Sequence, residues 1–589
     1  MLKKNNTHNK FGLSYFIWLG CNYVVSITFV GTFATLSNLD APNAIGINVL
    51  WIIVLEGLIV GVCAHICSRL AWIHHSYNNG GIYIFVRTSF GRFWGIFVAF
   101  MQYITLPFLI TFQIMMLLRG TFSAPWVAGY DQHHHLVIPW YAFNFGAFGD
   151  LWMDLIGIVI YLFFSFVIFG GMKLYKRLND LTASLKLIAA SVLILAGLYL
   201  AFQNGHDNFK YWSTNSHLNL NGFVKAFNSC FYFFTGFEVF TTAGRNIASA
   251  RKNIGIGVII VLIINVLSHL IIAIIFFAAF NHFVQNMNMG TWNSFHNKFA
   301  VYGGTIMMIM FVITLKINLI MQDSLYGGTS LQPLAYEGFL PDRFQKLNHD
   351  NISTKASLLH MSLTILSLFI WLIIPDLIKG INLTREYGFM CTIAQSLTYH
   401  EPFTGASLIA ASSAITIFIY AMMFAVAIKL GITKQMKLKI WEWIVVPITM
   451  LILFFVLIWH YYTLINNILT ATKATYQSAL ISGLIEFIFI GTAISFVTIW
   501  YFTYYRVKYC KRILCFPEQQ AKIEQNFQVI SQSKLVYEHI YQILLRYLKY
   551  YHQKNNAKDY QTVLQILTQL EHDFFIDDEE RLTDEQQRC

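Results

Sequence analysis

Phe231-Tyr232-Phe233-Phe234-Thr235-Gly236-Phe237-Glu238-Val239 lies inside an apolar run, 222–246, and reads as a membrane helix interrupted halfway along. Gly236 supplies a backbone free of Cβ restraint. Thr235 and Glu238 supply groups for the amides and carbonyls that an unwound turn leaves free, which hydrocarbon itself does not satisfy. A site where two helices pack is the plainer account of the same residues, and spacing alone leaves both open.

Outward from this stretch, runs of similar length recur along the chain. Twelve helices are predicted at roughly 12–37, 44–70, 94–119, 150–172, 182–203, 222–246, 255–281, 300–328, 357–378, 404–430, 440–466 and 476–505, each long enough for about 30 Å of hydrocarbon at about 1.5 Å per residue. Of the 589 residues 56% are apolar and only 12% charged, half the share of about 25% usual in soluble domains. That excludes an ordinary cytosolic enzyme, a disordered chain and a collagen-like rod. The expected fold is an all-α polytopic membrane protein. Its basic start, Met1 to Lys10, leads into a run longer than a signal peptide and is read as preceding a retained first span.

Lys and Arg mark alternate ends of the spans. Lys3, Lys4 and Lys10 precede the first; Arg87 and Arg92 follow the second; Lys173, Lys176 and Arg177 follow the fourth. Arg251, Arg343, Lys434 and Arg506 continue the series, whereas the loops 121–149 and 281–297 carry almost no cations. Positive loops stay inside, so both termini are expected in the cytoplasm. The net charge of +11 is spread between spans and forms no basic stripe for nucleic acid. After Pro517 the composition turns polar, and Tyr537, Ile540, Tyr541, Leu544, Leu545 and Leu548 recur at helical spacing. This cytoplasmic tail, 506–589, is expected to be amphipathic helix that docks on the membrane body or on a second subunit.

Ionisable side chains inside spans are functional candidates because hydrocarbon penalises them. Five stand out: Glu56, Lys186, Glu238, Lys316 and Asp323. Lys186 lies about one turn inside the fifth span. It either snorkels to the basic edge or stays in the bundle as an amine that gains and loses a proton during a transport cycle. Lys316 and Asp323 share one face of the eighth span, and an internal ion pair with another helix is favoured for at least one of them. Cys63-x-His65-x-Cys67 and His133-His134-His135 read as packing and as a solvated loop rather than as metal sites. No cofactor is expected. No catalytic constellation or phosphate-binding loop is found, so an enzyme is not expected either.

Three stretches are similar to motifs of the amino acid-polyamine-organocation superfamily, the amino acid permeases. They are Asn79-Gly80-Gly81-Ile82-Tyr83 through Phe90-Gly91, Gly236-Phe237-Glu238-Val239 through Arg251-Lys252-Asn253, and Tyr336-Glu337-Gly338-Phe339-Leu340-Pro341-Asp342-Arg343. The resemblance runs from about Gly12 to Arg506. It implies a LeuT-like fold of two inverted five-helix repeats, 12–203 and 222–430, followed by helices 11 and 12 over 440–505 and preceded by a cytoplasmic start, 1–11. In such a fold the first helix of each repeat breaks at mid-membrane, where bare backbone groups bind substrate. The resemblance places those breaks at Val25-Ser26-Ile27-Thr28-Phe29 and Tyr232-Phe233-Phe234-Thr235-Gly236, with Tyr232 as an aromatic gate. It implies that Lys186 carries the coupling proton against the broken first helix, and it leaves Glu238, Lys316, Asp323 and Glu56 as gating or charge candidates. Departures from the pattern are Ser26-Ile27-Thr28 in place of Gly-small-Gly, and Arg245-Asn246 in place of an acidic pair.

The expected function is secondary active transport of an amino acid across the cell membrane, by proton symport or by exchange. The expected partners are the small-molecule substrate, lipid, and a homo-oligomeric or tail-docking partner. Glu238 would instead suit a polyamine or cationic amino acid. A receptor that binds an amino acid and signals through the tail is the alternative from another class.

Overall fold

The computed structural model of the chain describes residues 11–24, 44–73, 81–130, 135–234, 236–237, 247–248, 250–280, 292, 294–295, 297–336, 338–350, 352–398, 405–434, 436–471 and 476–507, together with 561, 564, 565 and 568. Fourteen helices of nine residues or more carry the architecture among these. They are α1 (Leu13–Val24), α2 (Val49–Ile73), α3 (Ile82–Phe90), α4 (Arg92–Met115), α5 (Gly149–Ser165), α6 (Met172–Asn215) and α7 (Leu220–Phe231). The chain continues with α8 (Ala250–Ala279), α9 (Lys298–Tyr336), α10 (Thr354–Leu368), α11 (Ile374–Tyr387), α12 (Gly405–Ile432), α13 (Ile440–Thr470) and α14 (Tyr476–Ile499). Ten stretches of the described residues are long and apolar enough to cross a membrane. The first and sixth predicted spans are represented by α1 and α7, with twelve described residues each. The molecule is a multi-pass helical membrane protein. Rows of large apolar side chains such as Trp51, Leu58, Phe163, Phe202 and Ile458 are exposed, as lipid contact requires.

The packing is organised as two equivalent sets of five helices: α1, α2, α4, α5, α6 and α7, α8, α9, α10, α12. Two pairs of counterparts, α2 with α8 and α4 with α9, pack directly on each other at the centre. Three further kinds of contact between the sets come in exchanged pairs. α1 lies on α8 and α7 on α2; α6 lies on α9 and α12 on α4; α5 lies on α9 and α10 on α4. Such exchange is what a pseudo-twofold relation between repeats produces. α13 and α14 pack mainly on α12 of the second set, and α13 also reaches α7 and α2 and α14 also reaches α4.

Three local features differ from the sequence reading. The glycine-rich segment after the second span is not all loop, because α3 runs between Gly81 at φ +49° and Gly91 at φ +89°. Those two glycines turn corners that L side chains rarely adopt, and Ile82, Tyr83, Ile84, Phe85 and Val86 are buried between them. α6 is 44 residues long, about 66 Å, because its polar C-terminal part stays helical beyond the apolar run. There Asn208 Nδ2 donates to the Ala278 carbonyl at 2.7 Å and Trp212 Nε1 to the Phe280 carbonyl at 2.7 Å, satisfying groups that the end of α8 leaves open. Finally, Gly129–Tyr130 pairs antiparallel with Leu136–Val137, a small two-stranded addition to an otherwise helical chain. The predicted tail helix over 537–548 lies outside the described residues.

Candidate functional site

α7 does not continue through its apolar run. It ends at Phe231 and tightens into a 3-10 turn over Tyr232–Phe234, and Gly236 then adopts φ +103°, which stops a helix of L residues. Asn265 of α8 is wholly buried and donates from Nδ2 to the carbonyl of Phe233 at 2.8 Å, one of the groups released at this interruption. His269, one turn further along α8, donates from Nδ1 to the Asn265 carbonyl (2.9 Å) and lies against the rings of Phe233 and Phe234. Phe237, just after the glycine, stacks on Tyr420 of α12. The side chain of Tyr232, and Thr235 and Glu238 altogether, lie outside the described residues, as do Val25, Ser26, Ile27, Thr28 and Phe29.

On the other side, α1 is described to Val24, one residue short of the predicted break. Lys186 of α6 is buried there and donates from Nζ to the carbonyl of Asn22 at 2.8 Å. It therefore does not snorkel to the basic edge. A hydrogen bond from an ammonium is about twice as strong as a neutral one, so the grip of α6 on α1 depends on the proton this amine carries. Asn22 also donates from Nδ2 to the Trp18 carbonyl at 2.9 Å, and Trp18 Nε1 donates to Asp180 of α6 at 3.0 Å. α1 is thus fastened to α6 through two side-chain contacts. Glu56, ten residues into the span Gly46–Ala71, is wholly buried, and neither carboxylate oxygen has a hydrogen-bond partner among the described residues.

Lys316 and Asp323 share α9, but each faces a different neighbour. Lys316 Nζ donates to Gln113 Oε1 of α4 at 2.6 Å and stands over the ring of Phe112. Asp323 Oδ2 meets His360 Nε2 of α10 at 2.7 Å, and His360 Nδ1 is 3.4 Å from the Tyr103 hydroxyl of α4. These groups tie α4, α9 and α10 together. Gly327 is packed against the His360 ring, so the close approach of α9 and α10 needs a residue without Cβ at that point.

A third group of charges escaped the sequence reading. Arg119 is 2.7 Å from Asp376, 3.4 Å from Asp154 and 3.6 Å from Asp150, while Lys379 donates to Asp150 at 2.8 Å and Ser123 donates to it at 2.8 Å. All these groups are buried. Asp150 and Asp154 stand one turn apart inside a predicted span, and that spacing was the available signal. A water-sized cavity lined by Ser123, Asn144, Asp150, Lys379 and Ser396 opens beside this network. His65 bonds Glu442 of α13 at 2.7 Å, and Arg69 bonds the same carboxylate, so the Cys63-x-His65-x-Cys67 run joins helices. No group of metal-ligating side chains occurs among the described residues.

A membrane bundle of two equivalent five-helix sets, with a helix broken at mid-run and a buried lysine on the backbone of its counterpart, defines a transporter. A profile of the amino acid permease family matches residues 11–494, and the chain belongs to that family. It is similar to the methylthioribose transporter of Bacillus subtilis, 21% identical over 191 residues, which are 32% of this chain and 40% of that protein. That match spans less than half of the Bacillus protein's length. The chain is also similar to an uncharacterised protein of Mycoplasma genitalium, 20% identical over 412 residues, 66% of this chain and 78% of the other. Among solved structures, a manganese transporter mutant of Eremococcus coleocola superposes with a TM-score of 0.46 at 11% identity, covering 83% of this chain and 94% of that one.

Proposed function

We propose that the chain carries an amino acid across the cell membrane by alternating access between its two five-helix sets, with uptake coupled to protons through Lys186 and both termini in the cytoplasm. Exchange of one amino acid for another is a second mode of the same cycle. The observation that supports this reading is the 2.8 Å hydrogen bond from Lys186 to the Asn22 carbonyl. A charged amine holds α1 against α6, and a neutral amine holds it less tightly. Proton binding therefore shifts the balance between the two arrangements, and a ligand moves such an equilibrium only by binding them unequally. The substrate-binding residues of this reading are Val25–Phe29 and Tyr232–Gly236, where the family resemblance implies breaks whose freed backbone groups would meet a carboxylate and an ammonium.

A second substrate reading has a sequence feature in its favour. Ser26-Ile27-Thr28 offers two hydroxyls where a carboxylate cradle usually has glycines, and such a site suits a polyhydroxylated solute like the methylthioribose named for the Bacillus relative. Counterflow in proteoliposomes with a labelled panel of amino acids and methylthioribose separates the two. Lys186→Met is expected to abolish concentrative uptake of whichever solute is carried, while the protein still folds and exchanges. Unchanged accumulation removes Lys186 from the mechanism.

A further inference from the structure

Glu56 and the end of α7 meet at one depth. Glu56 is ten residues into its span from Gly46, and Cys230 is ten residues into α7 from Leu220, so each lies about 15 Å along its helix, half of the hydrocarbon thickness. The Cys230 thiol is within electrostatic reach of Glu56, and α2 packs on both α7 and the Tyr232–Phe234 turn. Other titratable groups on the elements packed against α2 are Lys225 of α7, Tyr232 of that turn, Arg251, Lys252 and His269 of α8, Tyr420 and Lys429 of α12, and Glu442, His460, Tyr461 and Tyr462 of α13. His269 is bonded to the Asn265 carbonyl, Tyr420 lies against Phe237, and Glu442 is held by Arg69 and His65 three turns further along α2. Among the described residues no donor reaches either oxygen of Glu56. A helix ends in carbonyls that carry partial negative charge, so an anion beside the end of α7 is repelled there in addition to being desolvated. A carboxylic acid, in contrast, has one hydrogen to donate to such carbonyls.

We propose that Glu56 binds a transported proton at the broken end of α7, as a second protonation site besides Lys186. The inference rests on the proton-coupled reading above. The carboxylate takes a proton from the aqueous phase to which the site is open, forming an O–H bond. The acid then lets α2 close on the end of α7, and the same proton leaves to the opposite phase when the helices part. Lys186 and Glu56 thus serve one helix each, an amine on the carbonyl of α1 and an acid beside the carbonyls of α7.

The test uses the full chain in liposomes, as wild type, Glu56→Gln and Glu56→Asp. Infrared difference spectra between wild type and Glu56→Gln are expected to show the carbonyl stretch of a protonated carboxylic acid, shifted but retained in Glu56→Asp. Absence of that band overturns the proposal. Glu56→Gln is expected to keep counterflow of the labelled solute and to lose the acceleration that an acidic exterior gives the wild type. An undiminished acceleration also overturns it. Failure of the wild type to exchange any amino acid counts against the amino acid reading instead, and the infrared result still decides whether Glu56 holds a proton.

Discussion

The buried charges at Arg119 and on α5, α9, α10 and α11 differ from Glu56 of α2 and Lys186 of α6 in what they touch. In the first region every buried charged group described above faces another side chain: Arg119 and Lys379 face three aspartates, Asp323 faces His360, and Lys316 faces Gln113. In the second, Lys186 faces the backbone carbonyl of Asn22, near the described end of α1, and Glu56 has no described hydrogen-bond partner. Side-chain pairs lock helices to one another and keep their geometry through a cycle. Groups set on backbone at the end of an interrupted helix are sensitive to any movement of that helix. The first region reads as a frame and the second as the moving part.

The sharpest way to break this contrast is Arg119→Ala, which leaves three buried aspartates with Lys379 as their cation. The expected cost is about 3–5 kcal/mol, the range for removing one partner of a buried pair, seen as a large fall in melting temperature in detergent. A variant as stable as wild type would remove the network from the frame. Next comes the Asp323–His360 pair. His360→Leu alone is expected to cost about 3 kcal/mol, whereas Asp323→Leu with His360→Leu should recover most of it, because replacing both members of a buried pair with apolar residues is often neutral. If the double variant retains its fold but loses transport, the pair belongs with the moving part. The smallest effect is expected at Asn265→Ala, which frees the Phe233 carbonyl at a cost of about 1–3 kcal/mol. As the Phe233 carbonyl borders the break, this loss should raise KM for exchange with little change in melting temperature.

Span positions were legible in the sequence because hydrocarbon demands a long apolar run whatever lies next to it. The interruption of α7 was legible because Gly236 stands beside polar residues where none is needed for packing. Lys186 was visible as a lone cation inside an apolar run, but its partner, Asn22, is 164 positions away and nothing local points to it. The Arg119 network was hidden for a related reason. Charges near span ends look like boundary residues, and Arg119 meets Asp376 across 257 positions. The length of α6 was underestimated because hydropathy registers lipid, not helix.

That length has a mechanical result. α6 is pinned near its C-terminal end, where Trp212 and Asn208 clasp the last carbonyls of α8, and Lys186 lies 26 residues, about 39 Å, down the rod from Trp212. A pivot of about 5° at the clasp would sweep the ammonium through about 3 Å, more than the 2.8 Å that separates it from the Asn22 oxygen. The long lever arm lets a slight rotation, with no unwinding of α6, make or sever the contact on which the proposed proton coupling depends.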